Sequence, residues 1–326
     1  MVEASQTVFC PGVVYMVKLK SRPLIAGSRI GIIAPASPVK DSREYQAHVE
    51  YLVSSGYQVI LGKTAIPGRG FLAGDDRTRQ LDLESMWQDD SIAAVWCLRG
   101  GYGCLRLLSR LNYRFFEKKP KILMGFSDIT ALELAFWARM KLVTFHGPVL
   151  TTFASDFTRQ SALKMLSGMQ GDEALKWPGR KQQRLIVIRG GKAEGPLLGG
   201  NLTTIAAMAG TGYLPDFSGC VLFIEEVQEA AYRVDRLLTQ LIYCGVMDGL
   251  RGIVIGKSIP IPGETEADLV AVFRERLEGL GCPVAYGFPI GHLEDQWTLP
   301  QGLTVSVDMD EGILYLKESP FISADS

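Results

Sequence analysis

The chain has 326 residues, 47% of them hydrophobic and 21% charged, and its 34 basic and 35 acidic side chains leave a formal net charge of -1. That length accommodates a sizeable core and two domains of ordinary size. The even charge balance, without long basic runs, excludes the electrostatic footprint of a nucleic-acid or anionic-membrane binder and points to small partners.

Residues 1–28 read as an N-terminal extension. Their apolar run "VFCPGVVYMV" has the length of a signal-peptide core. It lacks a basic stretch before it and a small-residue cleavage site after it, so it reads as an arm or edge element. No apolar stretch reaches transmembrane length. Cys10, Cys97, Cys104, Cys220, Cys244 and Cys282 are scattered and form no CxxC pair. A reducing compartment is the simpler assumption.

From Arg29 the pattern becomes orderly. "RIGIIAPAS" predicts a buried strand, residues 42–54 a helix, "QVILG" a strand and residues 75–87 a helix. "SIAAVWCLRGGYG" predicts a strand running into a glycine-rich loop, and "CLRLLSRL" the helix after it. "KILMGFSDIT" joins a strand to the helix "ALELAFWARM", and "LVTFHGP" supplies another strand. Strands alternating with helices predict an α/β fold whose N-terminal domain, residues 29–167, is a mostly parallel sheet flanked by helices. Residues 168–183 turn polar and glycine-rich and read as a linker. Residues 184–326 form a smaller mixed α/β C-terminal domain: "RLIVIRGGKAEGPLLGGNLTTI", "CVLFIEEV", a helix over 229–244, "RGIVIGKS", a helix over 264–280, "VAYGFPIGH" and a closing hairpin "LTVSVDMDEGILYLKE".

Ligands of such sheets bind beyond the carboxyl ends of the strands, which places the loops 99–103 and 126–130 on one rim. Gly100, Gly101 and Gly103 suit close approach of backbone to an anion, or simply a tight turn. Their spacing is not a dinucleotide fingerprint, and "GKS" at 256–258 lacks the upstream glycine of a phosphate loop, having Arg251 there. Only His48, His146 and His292 are present, and no metal-ligand spacing occurs, so no metal or other cofactor is expected. Ser127, at a strand-to-helix junction, is either a nucleophile on a sharp turn or the cap of the next helix. It departs from G-x-S-x-G because Ile129 stands at the second glycine. The Asp128 N–H shares the direction of the helix N-terminus, where a developing oxyanion is favoured. A serine nucleophile needs a base and the base an orienting group, for which His292 and Glu225, with Glu226 equally available, are candidates across both domains.

The blocks "GIIAPASP", "FLAGDDRTRQLDL", "AVWCLRGGYG", "GFSDITAL", "FHGP", "GPLLGGNLTTI", "LFIEEVQEAAYRVDRLLTQL" and "GFPIGHLEDQWTLPQG", in this order, resemble the LD-carboxypeptidases of murein recycling, serine peptidases grouped with microcin-immunity peptidases. The resemblance implies a cytoplasmic, cofactor-free, usually homodimeric serine peptidase. It assigns Ser127 as nucleophile, His292 as base and Glu225 as orienter, with Glu226 where the family generally has aspartate. It also implies oxyanion donors at the backbone of Asp128 and Gly101 and substrate contacts at Arg99, Gly100 and Asn201. The expected reaction releases the terminal D-alanine of murein tetrapeptides. The expected partner is therefore a muropeptide or other small peptide, with no nucleic acid and no membrane. A microcin-immunity-like peptidase acting on a peptidyl-nucleotide and a non-catalytic small-peptide binder are the alternatives.

Overall fold

The computed structural model of the protein describes residues 17–177 and 185–323. Nearly all of the N-terminal apolar run, with Cys10, and residues 178–183 of the expected linker lie outside the described residues.

The first half runs β1 (Arg29–Ile33), α1 (Gln46–Ser54), β2 (Gln58–Leu61), α2 (Asp76–Gln88), β3 (Ile92–Cys97), α3 (Tyr113–Glu117), β4 (Ile122–Gly125), α4 (Thr130–Met140) and β5 (Phe145–His146). After α5 (Asp156–Leu166) come β6 (Ala174–Leu175), β7 (Ile186–Arg189), β8 (Lys192–Asn201), α6 (Leu202–Met208), β9 (Val221–Glu225), α7 (Ala231–Tyr243), β10 (Gly252–Gly256), α8 (Glu266–Leu277) and β11 (Val284–Phe288). The chain closes with β12 (Leu299–Pro300), β13 (Thr304–Asp308) and β14 (Ile313–Leu316).

The first sheet has the order β12-β5-β4-β3-β1-β2 and is parallel except for β12. Its inner strands are apolar on both faces, as sheets covered by helices on both sides require. The second sheet, β6-β14-β13-β8-β9-β10-β11-β7, keeps β8 to β11 parallel and flanks them with antiparallel strands. This is an α/β fold with a mixed second sheet.

Local chemistry starts the helices where the chain must turn. Asp75 accepts the Thr78 N–H ahead of α2, and Ser155 accepts the Thr158 N–H ahead of α5. Thr265 and Asp268 cap α8 reciprocally. The predicted helix "CLRLLSRL" is instead a 3-10 turn, Cys104–Leu107, followed by the separate short helix α3, which periodicity did not reveal.

Several contacts bind the halves together. β12, only two residues long, crosses from the second half to pair Leu299 with His146 and Pro300 with Phe145. The segment that Leu19 bridges to Leu142 in the first half also reaches the second, where Ser21 bridges Phe321 and Lys18 and Lys20 both pair with Glu318. Helix α4, buried from Thr130 to Trp137, packs on α6 and β8. The helix that follows Ser127 is therefore anchored in both halves.

Candidate active site

β4 ends at Gly125, where an added Cβ would lie 2.8 Å from the Ile129 side chain. The turn is therefore too tight for a larger residue. Ser127 then takes φ +63°, a left-handed conformation that costs a non-glycine residue about 1 kcal/mol or more. It opens a 3-10 turn, Ser127–Ile129, that leads directly into α4. The capping positions of these two elements are Phe126 and Ile129, and neither element has a side-chain cap. Ser127 is therefore not the side-chain cap of either element.

His292 follows Gly291, whose φ of +91° and contact with the Glu225 carboxylate leave no room for a Cβ. The His292 Nδ1 atom lies 2.7 Å from Glu225 Oε2. The imidazole also packs on Phe126, the residue before Ser127, with ring centroids 4.6 Å apart. Burial disfavours the imidazolium, but the Glu225 charge and hydrogen bond outweigh it and raise the His292 pKa. Burial likewise pushes the Glu225 carboxyl up, yet the adjacent imidazole holds it below its ordinary value. With Nδ1 committed to Glu225, Nε2 is the nitrogen left for proton transfer.

Glu226 faces elsewhere. It accepts hydrogen bonds from Asn201 Nδ2 (3.1 Å), the Thr203 N–H (2.9 Å), the Thr203 hydroxyl (2.7 Å) and its neighbour's Val227 N–H (3.0 Å). Burial and then the Glu225 charge raise its pKa. Asn201, expected to contact substrate, has the other end of its amide capping α6 through the Thr204 N–H and hydroxyl. Both ends are thereby engaged within the protein, and its backbone N–H is held by Thr130 Oγ1 at 3.1 Å.

The glycine loop closes against the serine. A Cβ on Gly100 would lie 2.9 Å from Ser127 Cβ and 3.1 Å from its Oγ. Gly101 has φ +112° and no space for a side chain beside Ser37. Neither the Asp128 nor the Gly101 N–H is used in a turn, cap or loop hydrogen bond among the described residues. These groups are available to an oxyanion, with glycine required for the approach.

Two side chains whose roles sequence reasoning did not give hold this loop. The buried Asp128 carboxylate accepts the Cys104 N–H at 2.7 Å. Desolvation raises its pKa, with the Cys104 hydrogen bonds opposing. Fully buried Arg79 donates to Pro35 O and Gly103 O and pairs with Asp76, joining the loops after β1 and β3 to α2. The acid beside the candidate nucleophile was a readable signal for the first. Nothing distinguished Arg79 from the other polar residues of its helix. Arg99 meets the loop after β1, donating to Pro38 O at 3.3 Å and lying 4.0 Å from Glu44.

His146 does not join His292. It lies fully buried beneath the site, 3.4 Å from Glu133 and edge-on to Phe126 and Phe223. Among the described residues, no group of three or more His, Cys, Asp or Glu is placed to hold a metal ion.

Family models described as LD-carboxypeptidase N-terminal domain and LD-carboxypeptidase C-terminal domain match residues 30–147 and 194–307. The probable murein peptide carboxypeptidase of Bacillus subtilis is 34% identical over 301 residues, spanning 91% of this chain and 94% of its own. The crystal structure of muramoyltetrapeptide carboxypeptidase from Oxalobacter formigenes superposes with a TM-score of 0.75 at 31% identity, covering 89% of this chain and 98% of that one. The microcin C7 self-immunity protein MccF, in its inactive mutant apo state, superposes with a TM-score of 0.85 at 26% identity, covering 93% of this chain and 100% of that one. MccF has also been solved with glutamyl sulfamoyl guanosine, adenosine monophosphate and aspartyl sulfamoyl adenosine. Those complexes correct the expectation of a muropeptide or other small-peptide partner: the ligands held by the structural relative MccF are nucleotide-derived.

Proposed function

The chain belongs to the LD-carboxypeptidase family, a serine-type hydrolase family, and from that premise we propose that it hydrolyses the carbonyl–nitrogen bond joining an aminoacyl or short peptidyl group to a nucleotide-type leaving group. The observation that carries the chemistry is the 2.7 Å contact between His292 Nδ1 and Glu225 Oε2, beside a strained Ser127. The substrate class is supported by the nucleotide-derived ligands of MccF.

His292 Nε2 takes the Ser127 proton as Oγ bonds to the carbonyl carbon. Glu225 keeps the proton on Nδ1 and stabilises the imidazolium that forms. The oxyanion receives the N–H groups of Asp128 and Gly101, each such donor contributing about 3 kcal/mol to transition-state stabilisation. Collapse of the tetrahedral intermediate breaks the carbonyl–nitrogen bond, and His292 returns the proton to the departing nitrogen. Water, deprotonated by His292, then attacks the acyl-serine, releasing the acid and restoring Ser127.

The test is mass spectrometry of aspartyl sulfamoyl adenosine incubated with wild type and with Ser127→Ala. Release of aspartate by the wild type alone is the expected result, and equal release by both ends the serine assignment. Murein tetrapeptide is run in parallel as a comparison substrate, because the 34% identical Bacillus subtilis relative is described as a probable murein peptide carboxypeptidase. Turnover of the tetrapeptide with none of the nucleoside conjugate overturns the substrate class proposed here.

A further inference from the structure

Beside the candidate site, and outside it, a cavity of about 510 Å³ opens between three loops that leave the first sheet at the carboxyl ends of β1, β2 and β3. Lys40, Arg69 and Arg99 line it, together with Ser37 and Phe71. Lys40 and Arg69 are exposed, and among the described residues no carboxylate is within ion-pairing distance of either side chain. The nearby acid is Glu44, which lies 4.0 Å from Arg99 and already accepts the backbone N–H groups of Lys40 (2.7 Å) and Asp41 (3.0 Å). Three cations therefore face one concavity with a single, partly committed counter-charge. Such a field attracts and holds an anion.

The cavity is coupled to the chemistry by the chain itself. Arg99 is bonded to Gly100, the residue pressed against Ser127. Ser37 donates its hydroxyl to Phe71 O at 2.7 Å and accepts the Tyr102 N–H at 3.1 Å, so the cavity wall and the glycine loop are one hydrogen-bonded unit. Phe71 and Tyr102, 64% and 50% exposed, sit with ring centroids 5.8 Å apart and present an apolar face next to the cations. Aromatic rings left in water beside unpaired cations are a combination that a bound group with an anionic and a flat apolar part would cover.

We propose that this cavity is the subsite for an anionic group of the substrate, phosphate or carboxylate, held by Lys40, Arg69 and Arg99. The inference rests on the hydrolase reading above and makes these residues determinants of specificity.

Binding is measured by calorimetry on the Ser127→Ala protein, so that the result is independent of which residue is the nucleophile. Two ligand pairs are compared, AMP with adenosine and murein tetrapeptide with its C-terminal carboxamide. In each pair only the anion differs. The charged member is expected to bind about tenfold or more tightly in at least one pair. Adding Arg69→Ala or Lys40→Ala should erase most of that advantage, and Arg69→Lys should restore part of it. Loss in the first pair identifies phosphate as the anion and loss in the second identifies carboxylate. Preference for the charged ligand that survives both substitutions, or no preference in either pair, overturns the proposal.

Discussion

Glu225 and Glu226 are consecutive, yet their carboxylates serve different neighbours: Glu225 binds the His292 imidazole, and Glu226 gathers donors from Asn201 and Thr203. Successive side chains at the end of a strand point to opposite faces, so adjacency in sequence becomes separation in role. Glu225→Gln should lower kcat by about 10³- to 10⁴-fold with little change in KM, since it removes the group that fixes the imidazole tautomer. Glu226→Gln keeps acceptor capacity and should lose less than about tenfold. Steady-state kinetics of the two variants decides this, and equal losses would show that the acids act as one unit.

The raised His292 pKa sets the pH dependence. The base must be neutral to accept the serine proton, so kcat/KM should rise with pH through a midpoint above the ordinary histidine value of about 6.5. In Glu225→Gln the imidazolium loses its counter-charge while burial remains, and the midpoint of the residual activity should move to lower pH. A wild-type acidic limb centred below 6.5 would contradict this account.

The left-handed backbone at Ser127 separates strain from catalysis. Ser127→Ala and Ser127→Gly should both be inactive. Only glycine relieves the conformation, and it should unfold at higher denaturant than alanine, by about 1 kcal/mol. Chemical denaturation of the pair measures it, and a less stable glycine variant would mean that φ is not strained.

Gly100→Ala introduces a methyl group 2.9 Å from Ser127 Cβ. One of the two must move, and a displacement near 1 Å at a nucleophile costs about 10²-fold in rate. The expected signature is a fall in kcat with an unchanged circular-dichroism spectrum and melting profile. Retention of full activity would show that the loop relaxes without disturbing the serine.

Asp128→Ala removes the acceptor of the buried Cys104 N–H. An orphaned buried donor costs about 1–3 kcal/mol. Here it would also release the loop that carries Gly101. Stability and kcat/KM should fall together, and Asp128→Asn, which retains an acceptor, should recover much of both. Thermal unfolding and kinetics on the same preparations test the coupling.

Much of the architecture was legible in the chain. Alternating apolar strands and amphipathic helices are encoded within a dozen residues, so β1 to β4, β9, β10 and the closing hairpin β13–β14 follow from local pattern. Elements whose length depends on a distant partner were not legible. β12 is two residues long, and it exists because Leu299 and Pro300 return from the other half to pair with His146 and Phe145. Ala174–Leu175, inside the polar stretch read as a linker, is a strand because β14 is there to pair with it.

The site divides in the same way. Residue type and motif order by themselves determined which side chains were candidates, Ser127 on its strand-to-helix turn, the two acids ending an apolar strand, and a histidine among glycines. Tertiary structure decided which acid meets the histidine, 67 residues away. It likewise decided that Asn201 is turned inward, that Asp128 and buried Arg79 brace the glycine loop, and that three cations share one cavity. The physical reason is range: turns and strands are set by interactions between near neighbours, whereas hydrogen bonds and fields act through space and depend on which loops the two sheets bring together.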